Sequence, residues 1–216
     1  MRKSKLVLVA AAGAATLAFG ALQAQGGPPQ LPGQMDTARV QAGTYKTDAN
    51  HSMVGWRVNH FGFNDYLGIF GNVDATLTID PANLAGAKVD ATIPIASVVV
   101  ASQGLHDHLL RAGRDGGKPD FFGPDPAAAH FVSTKVEPTG ATSANITGDL
   151  TLNGVTRPVT IAAQFTGAGN GMMNQKPTIG FEGRAVIKRA EFGLNTFVPM
   201  VSDEVELEIS TAFEKN

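Results

Sequence analysis

The chain has 216 residues, of which 43% are hydrophobic and 17% are charged, and it contains no cysteine. The absence of thiols excludes disulfides, thiolate metal sites and cysteine nucleophiles. The formal net charge is −2, and it becomes −5 without the three basic residues near the start, because 14 basic then face 19 acidic residues. A mildly acidic surface argues against nucleic-acid binding and against electrostatic docking on anionic lipids.

The first 24 residues have the order of a secretory signal peptide. Arg2, Lys3 and Lys5 precede an uncharged apolar run that ends at Leu22, and small residues follow as far as Ala24. We predict cleavage after Ala24, export to the periplasm and no stable membrane span after processing. The alternative is an uncleaved anchor, although an Ala-rich run of about 17 residues lies at the short end for a span.

Residues 25–42 are predicted to form a flexible leader. They are rich in Gly and Pro and hold few large apolar side chains, so they cannot bury enough surface to offset the entropy of ordering. The remaining residues, 43–216, suit a single domain with its own core.

Most of this domain alternates apolar and polar residues with a period of two, which predicts half-buried β-strands. Turn residues such as Asn153-Gly154 separate the strands, and strands without intervening helices predict a meander that closes into a barrel or folds into a sandwich. The alternating segments are 54–58, 75–79, 89–95, 146–152, 159–165, 179–187 and 205–209.

Residues 102–122 break the alternation. Ser102 is placed to cap a short helix that carries Leu105, Leu109 and Leu110, and Gly113 would end it. A long excursion in a compact β domain is usually functional. The segment is therefore either a lid over an opening or a plug that closes one end of the barrel.

Several short motifs occur in a fixed order along the domain. They are His51-Ser52, Val54–His60, Gly68 with Phe70, His106–Leu109, Asp120–Phe122, Phe131–Ser133, Gly148–Pro158, Arg189–Gly193 and Asp203–Leu207. In this order they resemble the YceI-like family of exported, lipocalin-like proteins that bind polyisoprenoid-type lipids. The resemblance implies an all-β fold, an eight-stranded, slightly extended antiparallel barrel with one short helix or lid segment. It also implies an apolar ligand and is compatible with a homodimer.

Catalytic and metal-binding functions have weak support in the sequence. His106 and His108 are two residues apart, and such positions on a helix do not face one another, which disfavours a shared metal ion. Adjacent His51 and Ser52 would point to opposite faces of a strand, and no nucleophile elbow is present. We therefore predict no enzyme activity, no catalytic residues and no metal site.

The inward-facing apolar residues are the candidates for contact with a ligand in the barrel lumen, with Trp56 the strongest because its indole N–H needs a partner if it is buried. Small residues near mid-strand, such as Ala91 and Ala163, suggest a channel; alternatively, they only make room for large neighbours. The predicted lumen set is Trp56, Val58, Phe70, Leu77, Ala91, Ile93, Leu109, Phe121, Phe122, Phe131, Leu150, Ala163, Phe165, Phe181 and Phe192.

The function predicted from these features is that of a periplasmic carrier that encloses a long isoprenoid-type lipid, such as a polyprenyl chain or a prenyl quinone. An exported lipid needs its hydrocarbon hidden from water, at about 0.8 kcal/mol per buried CH₂. No cofactor is required, although a prenyl quinone could be the cargo. The alternative is a structural or stress-protective β domain with a filled core and no ligand.

Overall fold

The computed structural model describes residues 30–216, so the predicted signal peptide and the first residues of the predicted leader lie outside the described part. The domain consists almost entirely of antiparallel strands with one α-helix, α1 (Gln103–Leu110). The strands are β1 (Gly43–Thr47), β2 (Met53–His60), β3 (Asn64–Phe70), β4 (Asp74–Ile79), β5 (Lys88–Ile93), β6 (Val98–Val100), β7 (Ala129–Pro138), β8 (Ser143–Leu152), β9 (Val155–Asn170), β10 (Pro177–Lys188) and β11 (Glu204–Lys215).

Eight of these strands close into a barrel. The order of neighbours is β1, β4, β5, β7, β8, β9, β10 and β11, and β11 then pairs with β1 through Thr47 opposite Phe213. This confirms the predicted all-β fold and the antiparallel barrel. The Asn153-Gly154 hairpin also forms as predicted, because both residues adopt the positive φ that such a turn requires.

The barrel is extended by a second group of strands on β11. The last residues of β11 pair with β1, whereas the segment Glu206–Ser210 pairs with β2 instead. Strand β2 pairs with β3, and β3 pairs with the short β6. The β2–β3–β6 extension therefore completes the wall in the half of the barrel where β1 and β4 are absent.

The interior has two halves with different packing. At the end that contains β1, large side chains pack against one another and leave this end filled. Towards the other end, which holds α1, a second cluster of buried apolar residues includes Phe70, Leu109 and Phe192. Val89, Ala91 and Ile93 contact both clusters. The filled cluster consists of Tyr45, Val73, Ala75, Leu77, Ile79, Phe165, Ala168, Ile179 and Phe213.

The segment before the barrel packs on the filled end. Gln34 exchanges two backbone hydrogen bonds with Ala168 of β9, at 3.0 and 2.8 Å, and a short 3₁₀ turn follows at Thr37–Arg39. The strand β8 leaves this part of β9 unpaired, since its last partner on β9 is Gln164. Residues 31–42 thus belong to the same compact unit as the barrel, whereas the sequence placed the domain boundary at residue 43.

The predicted helix is confirmed at the opposite end. The Ser102 hydroxyl accepts a hydrogen bond from the Leu105 N–H at 3.3 Å and caps α1. Leu109 is buried, and its carbonyl accepts hydrogen bonds from the N–H groups of Phe122 and Gly123. These bonds hold residues 120–123 against the helix. Within residues 30–216, no helix is both long enough and apolar enough to span a membrane.

Candidate functional site

A cavity of about 460 Å³ lies inside the barrel between its filled half and α1. Its volume falls in the range of about 300–1,000 Å³ that is usual for small-molecule sites. Strands β2, β3, β7, β8, β9, β10 and β11 supply most of the wall, and α1 with residues 121–122 closes one side. Aliphatic and aromatic side chains line it almost throughout, so it is suited to a hydrocarbon ligand.

The structure brings nine of the fifteen predicted lumen residues together in this wall. They are Trp56, Val58, Phe70, Ile93, Leu109, Phe121, Phe122, Phe131 and Leu150. Their contact with a ligand stays a prediction. Alternation turns the strand residues of this set inwards, whereas Leu109, Phe121 and Phe122 reach the cavity from α1 and the segment after it.

The other six predicted residues lie outside the cavity wall. Leu77 and Phe165 belong to the filled cluster, and Phe181 packs against it. Ala91 lies between the two halves, and Ala163 pairs with Gly183 further along β9. Phe192 is almost fully buried at the other end, where it is part of the surrounding core. An inward-facing position is therefore not enough to predict contact with the cavity, because the cavity lies in one half of the interior and the side chains of the other half pack against one another.

Small residues play both of the roles that the sequence left open. Gly148 makes room for a neighbour, since a Cβ there would lie 2.5 Å from Cζ of Phe131. Gly183 likewise lies against Ile161, whose Cγ2 would be 2.9 Å from such a Cβ. Ala185, in contrast, lines the cavity directly. The hollow half is therefore bounded by small residues at some positions only.

Trp56 lies flat across its neighbouring strand. It faces Gly68 of β3 in register and stacks on Tyr66, with ring centroids 6.4 Å apart. Its side chain lines the cavity, and the indole N–H is buried with no hydrogen-bond partner in the described part of the chain. Only glycine at position 68 allows the ring this close approach, because a Cβ would lie 2.5 Å from Cε2 of the indole.

We expect Gly68→Ala to destabilise the fold by roughly 1–3 kcal/mol through overpacking against Trp56. Chemical denaturation would measure the loss, and tryptophan emission would shift with it, because Trp56 is the single tryptophan of the chain. Gly71→Ala is the matched control, since a Cβ at Gly71 meets no atom within 4 Å. Equal stability of the two variants would contradict the proposed role of Gly68.

A polar network lies where α1 meets the cavity. His108 lines the cavity, and its Nε2 is 2.9 Å from Oδ2 of Asp120. Arg111 donates to the same oxygen at 2.7 Å. Hydrogen bonds from Arg111 and then from His108 hold the pKa of the Asp120 carboxyl below its ordinary value. Asp120 therefore stays ionised near neutral pH and ties α1 to the segment that follows it.

The histidines of residues 30–216 are dispersed over separate contacts. Nδ1 of His106 lies 3.4 Å from Oδ1 of Asp107, whereas Nε2 of His108 is hydrogen-bonded to Asp120. His51 bonds to Asp48 at 2.6 Å. The Ser52 hydroxyl instead contacts the backbone of Ala212. In this described part, no group of three or more His, Asp or Glu side chains has the arrangement of a metal site.

The match to a known family covers most of the chain. The YceI-like domain matches residues 45–213. The chain belongs to the YceI-like family. A UPF0312 protein of Pseudomonas paraeruginosa is 39% identical over 176 residues, which are 80% of this chain and 87% of that protein. Protein YceI of Escherichia coli is 38% identical over 172 residues, 78% and 85% of the two chains.

Three solved structures resemble this chain in fold. BcnA of Burkholderia cenocepacia superposes with a TM-score of 0.62 at 28% identity, over 74% of this chain and 95% of that one. The YCEI protein of Campylobacter jejuni gives 0.60 at 30% identity, over 73% and 90%. A polyisoprenoid binding domain from Saccharophagus degradans gives 0.51 at 14% identity, over 80% and 98%, and shows a likeness of fold.

Arg189 begins the YceI-like motif Arg189–Gly193 and organises one end of the cavity. It is 5% exposed. Its guanidinium donates to four backbone carbonyls, those of Leu194, Thr196, Val201 and Ser202. Burial lowers the pKa of this guanidinium, and the charge of Asp203 opposes the shift. These hydrogen bonds show that Arg189 holds the end loop, residues 194–202.

Several residues that line the cavity were missed by sequence reasoning. Tyr66 is on a strand whose alternation is weak, His60 is the last residue of β2, and His108 is on the short helix α1. The others lie in turns and loops that carry no period. The one usable signal was the exposed-looking His60-Phe61-Gly62-Phe63 turn, because aromatic residues are unusual in a tight turn. The residues missed include His60, Phe61, Tyr66, His108, Arg189, Phe197 and Val201.

Proposed function

We propose that this YceI-like protein is a periplasmic binding protein that encloses the apolar chain of an isoprenoid-type lipid. The cavity of about 460 Å³ with its almost wholly apolar wall is the observation that carries the proposal. Export to the periplasm is supported by the basic, apolar and small-residue order of residues 2–24.

The energetics of transfer favour such a ligand. Each CH₂ moved from water into an apolar wall contributes about 0.8 kcal/mol. A hollow interior with few polar groups would otherwise remain dry and lose dispersion contacts along its lining. The polyisoprenoid binding domain from Saccharophagus degradans has a similar fold, and this likeness supports an isoprenoid-type ligand.

Binding fits the polar groups around the cavity better than catalysis does. Asp120 holds His108, and four carbonyls occupy Arg189. These groups therefore stabilise the wall and the lid-like segment. No cofactor is needed for the role, and a prenyl quinone is a suitable cargo because its isoprenoid tail is a hydrocarbon chain of the kind that the cavity wall accommodates.

Mass spectrometry of lipid extracted from protein purified from its native host tests the proposal. We expect an isoprenoid-type lipid in near-equal amount to the protein, in a sample whose intact mass begins near Gln25. Protein with Ala185 replaced by phenylalanine, treated identically, serves as the control because the ring occupies part of the cavity and is expected to weaken lipid binding. Absence of any lipid above the level of that control would refute the carrier function and favour a ligand-free structural domain.

A further inference from the structure

Four large apolar side chains are exposed around the mouth of the cavity. Phe61 is 46% exposed, Phe63 89%, Phe197 50% and Met200 59%. We call these four residues the apolar rim. Phe61 and Phe197 also line the cavity, so the rim is continuous with the apolar interior. Exposed apolar clusters of this kind mark interaction sites more often than isolated exposed residues do.

The rim is built by two segments that are far apart in the sequence. The Phe61 N–H donates to the Met200 carbonyl at 2.7 Å, and His60 forms an isolated bridge with Val201. Asn59 and Ser202 add backbone and hydroxyl hydrogen bonds between the same segments. The turn after β2 and the loop before β11 are thereby held together as one surface.

Two of the rim residues adopt a backbone conformation that is costly for a bulky side chain. Phe61 has a φ of 55° and Phe197 a φ of 63°. The left-handed region is unfavourable for a non-glycine residue and suits Asn or Gly far better than Phe. Such strain concentrates at functional sites, and here it keeps aromatic rings at the boundary between cavity and solvent.

We propose that the apolar rim inserts into the surface of a lipid bilayer and thereby places the cavity mouth against the membrane from which lipid enters. The inference rests on the proposed lipid-binding function, because a hydrocarbon chain must pass this rim to reach the interior. The rim residues give the hydrocarbon chain of the lipid a continuous apolar path between a bilayer and the cavity. This path keeps the CH₂ groups of the lipid out of water.

The charge of the rim specifies how it meets the membrane. Residues 60–64 and 194–203 contain no Lys or Arg. Electrostatic attachment to anionic lipids requires clusters of such residues. The rim therefore binds by apolar insertion, and its binding to zwitterionic membranes is insensitive to salt.

Flotation of the mature protein with phosphatidylcholine vesicles tests this inference. We expect wild-type protein to float with the vesicles at both low and high salt. The double variant Phe63→Ser and Met200→Ser should bind vesicles roughly tenfold more weakly, since each loses apolar surface that would be inserted. Neither residue lines the cavity, so affinity for a prenyl probe supplied without vesicles should remain that of wild type.

A matched pair at the opposite end of the barrel is the control. Met172 and Met173 are largely exposed in the loop between β9 and β10, and Met172→Ser with Met173→Ser should leave flotation within about twofold of wild type. The inference is overturned if wild-type protein does not float, or if both double variants lose vesicle binding to the same extent. It is also overturned if vesicle binding needs anionic lipid and is abolished by high salt. If one of these flotation results is obtained while the prenyl probe still binds, the proposed lipid-binding function is retained and the rim is assigned to another partner, such as a protein.

A second variant keeps the test independent of folding. Asn is well tolerated at positive φ, so Phe61→Asn should leave the protein folded, with equal or higher stability. We expect its vesicle binding to fall by a similar factor. If native protein contains no bound lipid but still floats with vesicles, the proposed function is refuted and the docking surface is retained.

Discussion

Replacing Ala185 by phenylalanine is expected to weaken the binding of a prenyl probe about fiftyfold. Ala185 is buried in β10 and its side chain faces the cavity. A phenyl ring there would occupy space that the hydrocarbon needs. Displacing about three CH₂ groups costs about 2.4 kcal/mol, which is about fiftyfold in affinity.

The stability of the ligand-free variant should change little, or rise, because the new ring fills empty space instead of displacing packed atoms. Titration with a fluorescent prenyl probe would measure the affinity, and chemical denaturation of delipidated protein would measure the free energy of unfolding. The two measurements together separate a blocked cavity from a damaged fold.

Ala75→Phe is the matched control, since Ala75 is an equally buried alanine in the filled half. The same ring has no space there, so it should cost roughly 1–3 kcal/mol through overpacking. Probe affinity of the folded fraction should stay near that of wild type. Strong destabilisation by Ala185→Phe with probe binding intact would show that the cavity is not the binding site.

Replacing Arg189 by methionine is expected to destabilise the protein by about 3–5 kcal/mol. Methionine keeps much of the buried volume but supplies none of the donors that four backbone carbonyls now use. A buried acceptor without a partner costs about 1–3 kcal/mol, part of which water can relieve once the loop opens. The charge of Asp203 would also lose its favourable electrostatic interaction with this guanidinium.

Thermal or chemical denaturation would measure this loss, and Arg184→Met on the same strand is its control. Arg184 is exposed on β10, so its replacement should change the free energy of unfolding by about 0.5 kcal/mol or less. Because the loop that Arg189 holds also carries Phe197 and Met200, the variant should show weaker vesicle binding as well. An effect no larger than that of Arg184→Met would contradict the organising role of Arg189.

Local signals predicted the strands well because each signal and its cause lie within a few residues. The alternation in 146–152 and 159–165 sets which side chains face inwards, and Asn153-Gly154 between them can adopt the positive φ of a tight hairpin. Ser102 capped the helix as predicted, since the cap depends only on the next three residues.

The boundary of the domain depended on contacts outside this range. Composition alone placed Gln34 in a flexible leader, yet the unpaired edge of β9 near Ala168 offers it two hydrogen bonds. That edge is free only because β8 stops at Ser143, opposite Gln164. No pattern in residues 31–42 records the length of a strand more than a hundred positions later.

The sequence by itself thus determined the all-β fold, the inward face of each long strand, the capped helix and the family. Only the tertiary structure decided which half of the interior is hollow, because alternation turns Leu77 and Leu150 inwards alike without showing which of them meets a partner across the barrel. The tertiary structure also decided which segments form the mouth of the cavity. The turn at Phe61 and the loop at Phe197 have no periodic pattern and meet through hydrogen bonds between positions 143 residues apart. Burial and loop contact depend on the three-dimensional closure of the barrel, which no local stretch of sequence encodes.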